Sequence, residues 1–342
     1  MIVIPEDYDS SIKWGAVPIL SHEGSLEEIR NKIPLFERRT FGPELKETIY
    51  RGLPTLFESP DVPPGVNPYY DTIVRCPLED EEIPETPVGI VSPAYTLLQH
   101  REVFDEAFKA LKTAEILTEH LTMRMELTPL GERMRLSLLL PQSYNLELPQ
   151  EDDLILRLQC LNSVDGSTRF RVTIDWFRLI CSNGLTTSDQ RSAYRKRHNR
   201  EMNLGDIAAV LREGLGSITD DRKTLIKWTQ RSVNRETCQQ WINAVVTKVW
   251  GVKAAARAWH IINEGHDVKF YDPFQKGTAT EKTVIRQGSV PGATVPARNV
   301  FAIAQVLAWL AQDRRDVQEQ QIWRQQIPGL VEPLLKQRRK AK

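Results

Sequence analysis

The sequence has few cysteines, no long apolar run and no secretory signal. Its four cysteines, Cys76, Cys160, Cys181 and Cys238, are widely spaced and form no C-x-x-C pair, so no disulfide framework is predicted. The longest apolar stretches, such as residues 301–310, are far shorter than the roughly 20 residues of a membrane-spanning helix. The N-terminal MIVIPEDYDS has neither a basic nor an apolar signal region. We therefore expect no membrane segment and a reducing, cytoplasmic setting.

Motifs for phosphate binding or nucleophilic catalysis are also missing. The chain contains no G-x-x-x-x-G-K-[ST], no G-x-G-x-x-G after a strand and no G-x-S-x-G, which are the loops of nucleotide-binding proteins and hydrolases. His260 and His266 flank Glu264, but not at the spacing of H-E-x-x-H. A helix end at Glu264-Gly265 is the plainer interpretation. The sequence thus predicts no catalytic residue, metal or cofactor, and a binding protein is favoured over an enzyme.

What the sequence does contain is a strong division of charge. Residues 1–164 carry 28 acidic and 15 basic side chains, whereas residues 165–342 carry 17 and 30. The first part is therefore strongly acidic and the second strongly basic, although the formal net charge is zero. Such a division is typical of a protein with a polyanion-binding face. The alternative is that the two parts attract each other in the folded state.

The first 90 residues are predicted to be an acidic, proline-rich arm. Residues 53–87 contain eight prolines and the acidic run at 79–82, a composition that disfavours helices and interrupts strand ladders. Before them, Leu26, Ile29, Ile33 and Phe36 lie near helical spacing. We expect a partly ordered arm at residues 1–90, with a short helix, and a folded core at residues 91–342.

The core is predicted to have an α+β fold. Val103, Phe104, Ala107, Phe108 and Leu111 follow the spacing of an amphipathic helix. Four stretches with apolar residues at every second position come next and predict a four-stranded antiparallel β-meander; they lie at residues 121–127, 134–140, 154–160 and 170–176. A helical, basic C-terminal half is expected to follow, with a loop-rich interval at 265–292, a last long helix from about residue 297 and a frayed tail, KQRRKAK.

Arginines dominate the polar face of the predicted meander. They would suit a platform for a phosphate backbone, whereas a mixed, solvated sheet face is the plainer expectation. The arginines that we select from this face as candidate contacts are Arg124, Arg133, Arg135, Arg157 and Arg171.

A dense basic cluster follows the turn at residues 181–184 and is expected to be helical. Its candidate nucleic-acid contacts are Arg191, Arg195, Lys196, Arg197, His198 and Arg200. His198 could instead cap a helix. The basic part of the chain also contains Trp228, Trp241, Trp250, Trp259, Trp309 and Trp323. Aromatic residues among lysines and arginines suit single-strand binding. Most of these tryptophans occupy apolar helix positions and are expected to be in the core.

Several segments resemble a known family. The run Tyr95-Thr96-Leu97-Leu98-Gln99, the later RLICSNGLT, the segment Arg197-His198-Asn199 and the helix NVFAIAQVLAWLAQD are similar to the phage- and plasmid-associated proteins described as domain of unknown function 932. The resemblance runs from about residue 92 to residue 335. It implies a mobile-element context and no catalytic residues. The order of helix, meander and basic segment also resembles, more loosely, the Rad52-like single-strand annealing proteins, which form rings on DNA.

These features lead to three hypotheses. The first is a nucleic-acid-binding protein of a mobile element, possibly a homo-oligomer, with single-stranded DNA as its partner and a role in annealing, replication or recombination. The second is an interaction protein that blocks a host defence, using the acidic run at residues 79–82 as a nucleic-acid mimic. The third is a metal-dependent nuclease with a carboxylate cluster that sequence does not reveal.

Overall fold

The computed structural model describes residues 13–15, 17–40, 67, 69–78, 81, 83–118, 121–148, 153–178, 183–185, 193–196, 198, 205–272 and 274–336. The chain divides into two compact units, each made of separate segments. Unit 1 comprises Met1–Leu139, Leu158–Thr173 and Ala193–Arg212, and unit 2 comprises Leu140–Arg157, Ile174–Ser192 and Glu213–Lys342. The separation of an arm at residues 1–90 from a core at residues 91–342 stays a prediction.

The described segments contain both strands and helices, which confirms the α+β fold class. The strands are β1 (Lys13–Trp14), β2 (Val17–Pro18), β3 (Leu20–Glu23), β4 (Leu35–Thr40), β5 (Asp71–Cys76), β6 (Thr86–Val91), β7 (Thr122–Leu127), β8 (Arg133–Leu139), β9 (Ile155–Ser163), β10 (Phe170–Arg178), β11 (Asn183–Leu185), β12 (Ala193–Lys196), β13 (His266–Phe270) and β14 (Val284–Ser289). The helices are α1 (Leu26–Asn31), α2 (His100–Thr113), α3 (Asp206–Gln230), α4 (Arg235–Trp241), α5 (Thr247–Glu264), α6 (Val300–Gln312) and α7 (Val317–Lys336).

The predicted meander is present as strands β7 to β10. They lie in a seven-stranded sheet with the order β11-β10-β9-β8-β7-β3, and β12 also pairs with β10. Side chains of a strand alternate between the two faces of a sheet, so the apolar members Met125, Leu136, Leu158 and Val172 all become fully buried. The turn between β7 and β8 ends at Gly131, whose φ of 71° lies in the left-handed region that favours glycine.

The basic cluster after residue 184 is not helical where the structure describes its backbone. Ala193–Lys196 forms strand β12, which pairs antiparallel with β10 from Phe170 to Thr173. Backbone groups on the edge of β10 gain hydrogen bonds from this pairing, and such tertiary pairing outweighs local propensity. The prediction of a basic helix is therefore wrong for these four residues.

Unit 1 also contains a three-stranded antiparallel sheet in the order β4-β5-β6. Phe36, Ile73 and Val91 from its three strands form a core cluster with Val164. Helix α1 begins at a capping box, in which Ser25 accepts a hydrogen bond from the backbone N–H of Glu28 and the Glu28 side chain accepts one from Ser25. The structure thus confirms a short helix before residue 32 and places part of the predicted arm in a sheet.

Helices dominate unit 2. Helix α6 corresponds to the last long helix predicted from the sequence, and its apolar residues are buried as expected. A further helix, α7, follows it. Helix α5 ends at the left-handed Gly265, as predicted. The interval at 265–292 is not only loop, because β13 and β14 form an antiparallel hairpin there. The tail at residues 337–342 lies outside the described residues. In the segments that the structure describes, no helix is long and apolar enough to cross a membrane.

Candidate nucleic-acid interface

Arg135 and Arg157 on the polar face of the meander are buried and bound to carboxylates. Arg135 lies directly opposite Glu126 in the β7–β8 register, and its Nε and Nη2 both donate to the Glu126 carboxylate. Each of these two arginines is only 5% exposed. A guanidinium buried against a carboxylate in this two-pronged geometry is a strong, specific contact. It does not present a free positive charge to a phosphate.

Arg157 and its partner Asp175 both lie in unit 2. Its Nε donates to Oδ1 of Asp175 at 2.8 Å and its Nη2 donates to Oδ2 at 2.5 Å. The guanidinium carbon also lies 4.9 Å from the centre of the Phe177 ring, a cation–π distance. These contacts correct the expectation that Arg135 and Arg157 face solvent on an open platform. Alternation predicted the face on which they lie, but not that these two arginines are buried there.

The other arginines selected from this face lie in unit 1 and differ in exposure. Arg133 donates from Nε to Asp165 at 2.8 Å and is half-buried. Arg171 is buried as well. Arg124 is the exposed member; its side chain is 48% accessible, and its Nε donates to the Ser21 hydroxyl at 2.8 Å. The predicted face therefore offers Arg124 to solvent at its β7 edge.

The basic cluster is only partly within the described residues. Arg195 and Lys196 lie in β12, opposite Arg171 and Phe170. Arg191, Arg197 and Arg200 lie outside the described residues. From the acidic run at 79–82, the structure describes Glu81, whose carboxylate accepts a hydrogen bond from Arg75.

His198 belongs to a buried polar centre in unit 1, which we call the histidine centre: Tyr95, His100, Asn162 and His198. The rings of Tyr95 and His198 stack with their centroids 5.1 Å apart. His198 is 7% exposed, and neither of its ring nitrogens has a hydrogen-bond partner. Burial lowers its pKa to about 4, so the ring is neutral at pH 7. Its placement does not support the predicted phosphate contact.

Hydrogen bonds set the tautomer of His100 in the same centre. Nδ2 of Asn162 donates both to the carbonyl of Leu98 and to Nδ1 of His100, each at 2.9 Å. Since Nδ1 accepts, the proton is on Nε2, which donates to the Gly131 carbonyl at 2.8 Å. Burial lowers the pKa of His100 to about 4 as well. The centre is therefore a neutral packing network at neutral pH.

The most exposed aromatic rings of the described segments lie in the β13–β14 loop of unit 2. Tyr271, directly after β13, is 75% exposed and Phe274 is 91% exposed. Rings of this size usually bury most of their surface, and exposed apolar groups that cluster together mark interaction sites. These two side chains are therefore candidates for contact with a partner.

Polar contacts, and not burial, hold this loop in place. The backbone N–H of Phe274 donates to Oδ1 of Asp272 at 2.8 Å. Nε2 of Gln275 donates to the carbonyl of Thr283 at 2.8 Å, and the N–H of Thr283 donates back to Oε1 of Gln275 at 2.6 Å. Hydrogen bonds of Asp272, Gln275 and Thr283 thus join the described parts of this loop while both rings stay exposed.

The same hairpin carries exposed cations. Lys269, Lys276 and Arg286 are exposed, and none of them forms an ion pair within the described segments. The nearby Asp267 is bound by Arg257 through its Oδ1 at 2.7 Å. We give the name hairpin surface to five exposed side chains of this hairpin: Lys269, Tyr271, Phe274, Lys276 and Arg286. Asp272, Glu281 and Ile285 are exposed there as well, and the strand register places Lys269 and Arg286 on opposite faces of the hairpin.

Sequence reasoning missed the hairpin surface because it looked for stacking among the tryptophans. Trp228, Trp241, Trp250 and Trp259 are at most 8% exposed, which confirms the expectation that most tryptophans lie in the core. The signal that was available is KFYDPFQKG at 269–277, in which a lysine near each end flanks three aromatic residues around an Asp-Pro pair typical of turns.

Comparison with known proteins identifies a family and nothing closer. The family model described as domain of unknown function (DUF932) matches residues 87–285, which is more than half of the chain, and the chain belongs to this family. That span contains the histidine centre and both exposed aromatic residues, Tyr271 and Phe274. No curated protein and no solved structure matches the chain.

The structure also brings together two of the segments that carry the family resemblance. Tyr95 of YTLLQ stacks on His198 of the basic segment, and the N–H of Thr96 donates to the His198 carbonyl at 3.2 Å. These residues are about a hundred positions apart in the sequence. Their pattern is therefore explained by packing in unit 1. No group of three or more His, Cys, Asp or Glu side chains in the described segments is placed to hold a metal ion.

Proposed function

We propose that the protein binds single-stranded nucleic acid, with single-stranded DNA as its first candidate, through the hairpin surface. The observation that carries this proposal is the exposure of Tyr271 and Phe274 on a polar-bonded loop, in a hairpin that also carries the exposed Lys269, Lys276 and Arg286. Stacking on an aromatic ring is worth about 1–3 kcal/mol per base, and every base can stack. Binding would therefore be largely independent of sequence.

The cellular role that we propose is annealing, or assistance to replication or recombination, in a mobile element. The resemblance of the chain to phage- and plasmid-associated proteins supports this context. Annealing proteins hold one strand with its bases accessible, and a small stacking surface with few cations suits such a task. Assembly into a homo-oligomer would repeat the hairpin surface along the DNA strand. The molar mass of the particle in solution, measured with and without DNA, tests whether the protein forms such an oligomer.

A titration of the full-length protein with fluorescent 30-nucleotide DNA tests the binding. Single strands are expected to bind more tightly than duplex, because only single strands expose base faces. If Lys269, Lys276 and Arg286 each displace one counterion, the slope of log K against log salt is about −2 for a single strand. Absence of binding at low salt would rule out the proposal.

Two variants separate the contributions of stacking and charge. Tyr271→Ala with Phe274→Ala removes two stacking rings and is expected to weaken single-strand binding by at least about 30-fold, and to leave the salt slope unchanged. Replacing the three cations of the hairpin surface by Gln should flatten the slope. The matched control is Leu117→Ala in unit 1, since Leu117 is also an exposed apolar residue, at 59%. If the aromatic variant binds as tightly as this control, the nucleic acid binds elsewhere.

A further inference from the structure

The loop that carries the two exposed rings also carries an exposed carboxylate, which lies between them in the sequence. Asp272 follows Tyr271 directly and precedes Phe274 by two positions. Its Oδ1 accepts a hydrogen bond from the backbone N–H of Phe274 at 2.8 Å, and its carbonyl accepts one from Nε2 of Gln275 at 3.0 Å. This Asx-type contact holds the carboxylate at the backbone of Phe274. A base stacked on the loop therefore meets a negative charge close by.

The other carboxylates of this hairpin are engaged by protein groups. Asp267 is bound by Arg257 through Oδ1 at 2.7 Å, and Glu281 accepts the N–H of Thr278 at 2.9 Å as part of a capping box. Asp272 forms no ion pair with a residue that the structure describes, and its Oδ2 receives no hydrogen bond from one. An ionised carboxylate only accepts hydrogen bonds, at about four lone-pair sites. Most of the acceptor capacity of Asp272 is thus open to solvent or to a ligand.

A carboxylate in this position discriminates between the parts of a nucleic acid. It repels phosphate, by about fivefold in affinity for two unit charges about 4 Å apart in water. Among the bases, adenine and cytosine present one donor group beside a ring nitrogen that accepts, and thymine presents its one donor between two carbonyl acceptors. Guanine presents two neighbouring donors, N1–H and N2–H, on its Watson–Crick edge. These two donors match the two oxygens of a carboxylate, and a single strand leaves that edge accessible.

We propose that Asp272 is a specificity-determining residue of the hairpin surface and that it selects guanine among the bases of a bound single strand. This inference rests on the proposed function. Stacking on Tyr271 and Phe274 holds any base, whereas the carboxylate of Asp272 accepts N1–H and N2–H of a guanine at one position. A strand without guanine is bound by stacking and charge, against the repulsion between Asp272 and phosphate.

Thymine strands with an isolated guanine, adenine or cytosine at every fourth position test the inference with the full-length protein. Isolated guanines avoid quadruplexes, and adenine is a purine of similar stacking area, so the comparison reports the base edge. Wild type is expected to bind the guanine strand at least about fivefold more tightly than the adenine strand, as a two-bonded base contact does. Hypoxanthine, which lacks the N2 amino group, should lose most of this preference. The analogue 7-deazaguanine keeps the Watson–Crick edge and should retain it.

The variant Asp272→Asn keeps an oxygen for the N–H of Phe274 and removes both the charge and the second acceptor. It should bind the guanine and adenine strands to within about twofold of each other. Its affinity for a pure thymine strand should rise about two- to fivefold, because the repulsion of phosphate is gone. A distorted loop would lower the affinity for every strand instead. Asp220→Asn makes the same change at a carboxylate of unit 2 that is 70% exposed, and it should alter neither affinity.

The possible outcomes separate the inference from the proposed function. If wild type binds the strands equally, or if Asp272→Asn retains the preference for guanine, Asp272 does not select a base while the hairpin proposal stands. A preference that hypoxanthine keeps in full would show that the Watson–Crick edge is not the contact, and it would overturn the inference as well. If none of the strands binds at low salt, the proposed function fails and the inference fails with it.

Discussion

Arg157 and Arg135 each lie against a carboxylate on the neighbouring strand, and both side chains are buried. At the scale of single residues, burial against a carboxylate makes a guanidinium a structural group and not a contact for phosphate. Removing two charges from water is expensive, and their mutual attraction offsets the expense only while both are present. Such pairs hold strands in register, whereas the exposed Lys269 and Lys276 remain available to an anion.

Removal of one partner from such a pair should therefore be strongly destabilising. Arg157→Met is expected to lower the free energy of unfolding by about 3–5 kcal/mol, because Asp175 is left as an unpaired buried charge. The double variant Arg157→Met with Asp175→Leu should recover most of that loss. Urea denaturation measures both, with the exposed Arg222→Met as the control, for which a change below about 0.5 kcal/mol is expected. If Arg157→Met were as stable as the control, the guanidinium would not be held as described.

At the scale of elements, the packing of helix α3 depends on one glycine. A Cβ on Gly214 would lie 2.4 Å from Cδ1 and 3.1 Å from Cβ of Ile174, so the whole Ile174 side chain is in the way. Glycine lowers helix propensity by about 1 kcal/mol relative to alanine. The helix keeps it here because α3 approaches β10 this closely. Gly216, two residues later, has open space around it.

Replacing each of these two glycines by alanine should change the free energy of unfolding in opposite directions. Gly214→Ala should destabilise by about 1–3 kcal/mol, since overpacking outweighs the gain in helix propensity. Gly216→Ala should stabilise by about 0.5–1 kcal/mol, because it gains propensity without a clash. Chemical denaturation of both variants against wild type checks the signs. A stabilising Gly214→Ala would mean that α3 does not pack against Ile174.

At the scale of the whole molecule, few of the described ion pairs join the acidic and basic parts of the sequence. Two described ion pairs, Arg133–Asp165 and Arg157–Asp175, join the acidic and basic parts of the sequence. In both pairs the cation comes from the acidic part. Neither pair therefore draws on the acidic excess of residues 1–164 or on the basic excess of residues 165–342.

The resistance of the whole molecule to acid should depend on the histidine centre. His100 and His198 have a pKa of about 4 in the folded protein, against about 6.5 ordinarily. Because the unfolded chain binds more protons between these values, stability is complete above about pH 6.5 and falls as the pH falls towards 4. From pH 7 to pH 5 the loss is roughly 2 kcal/mol for each histidine. Urea denaturation at the two pH values measures it.

The variant His198→Phe tests whether His198 causes part of this loss of stability at low pH. His198→Phe keeps a ring stacked on Tyr95 and cannot take up a proton, so its loss between pH 7 and pH 5 should be about half that of wild type. Burial raises the pKa of the Glu132 carboxyl, which acts in the opposite direction, but this contribution cancels when variant and wild type are compared. Equal losses in the two proteins would exclude His198 as a source.

Some features could be predicted from sequence because they depend on local periodicity. Alternation at residues 121–127 and 134–140 determines strands β7 and β8, since only an extended chain places every second side chain on one face. The spacing of Val103, Phe104 and Phe108 determines helix α2 in the same way. The position of Gly265 marks the end of α5, because glycine adopts the left-handed conformation without strain.

The tertiary structure alone decided which charges stay free. Arg157 and Lys269 look equivalent in a sequence, yet the first is closed in against Asp175 and the second is exposed. Likewise, the pairing of β12 with β10 overrode the composition of a basic segment. Periodicity reports the neighbours of a residue along the chain, whereas burial and ion pairing depend on what arrives from distant positions. For this protein local periodicity determined elements such as β7, β8 and α2, whereas packing decided β12 and left the aromatic residues and cations of the hairpin surface exposed.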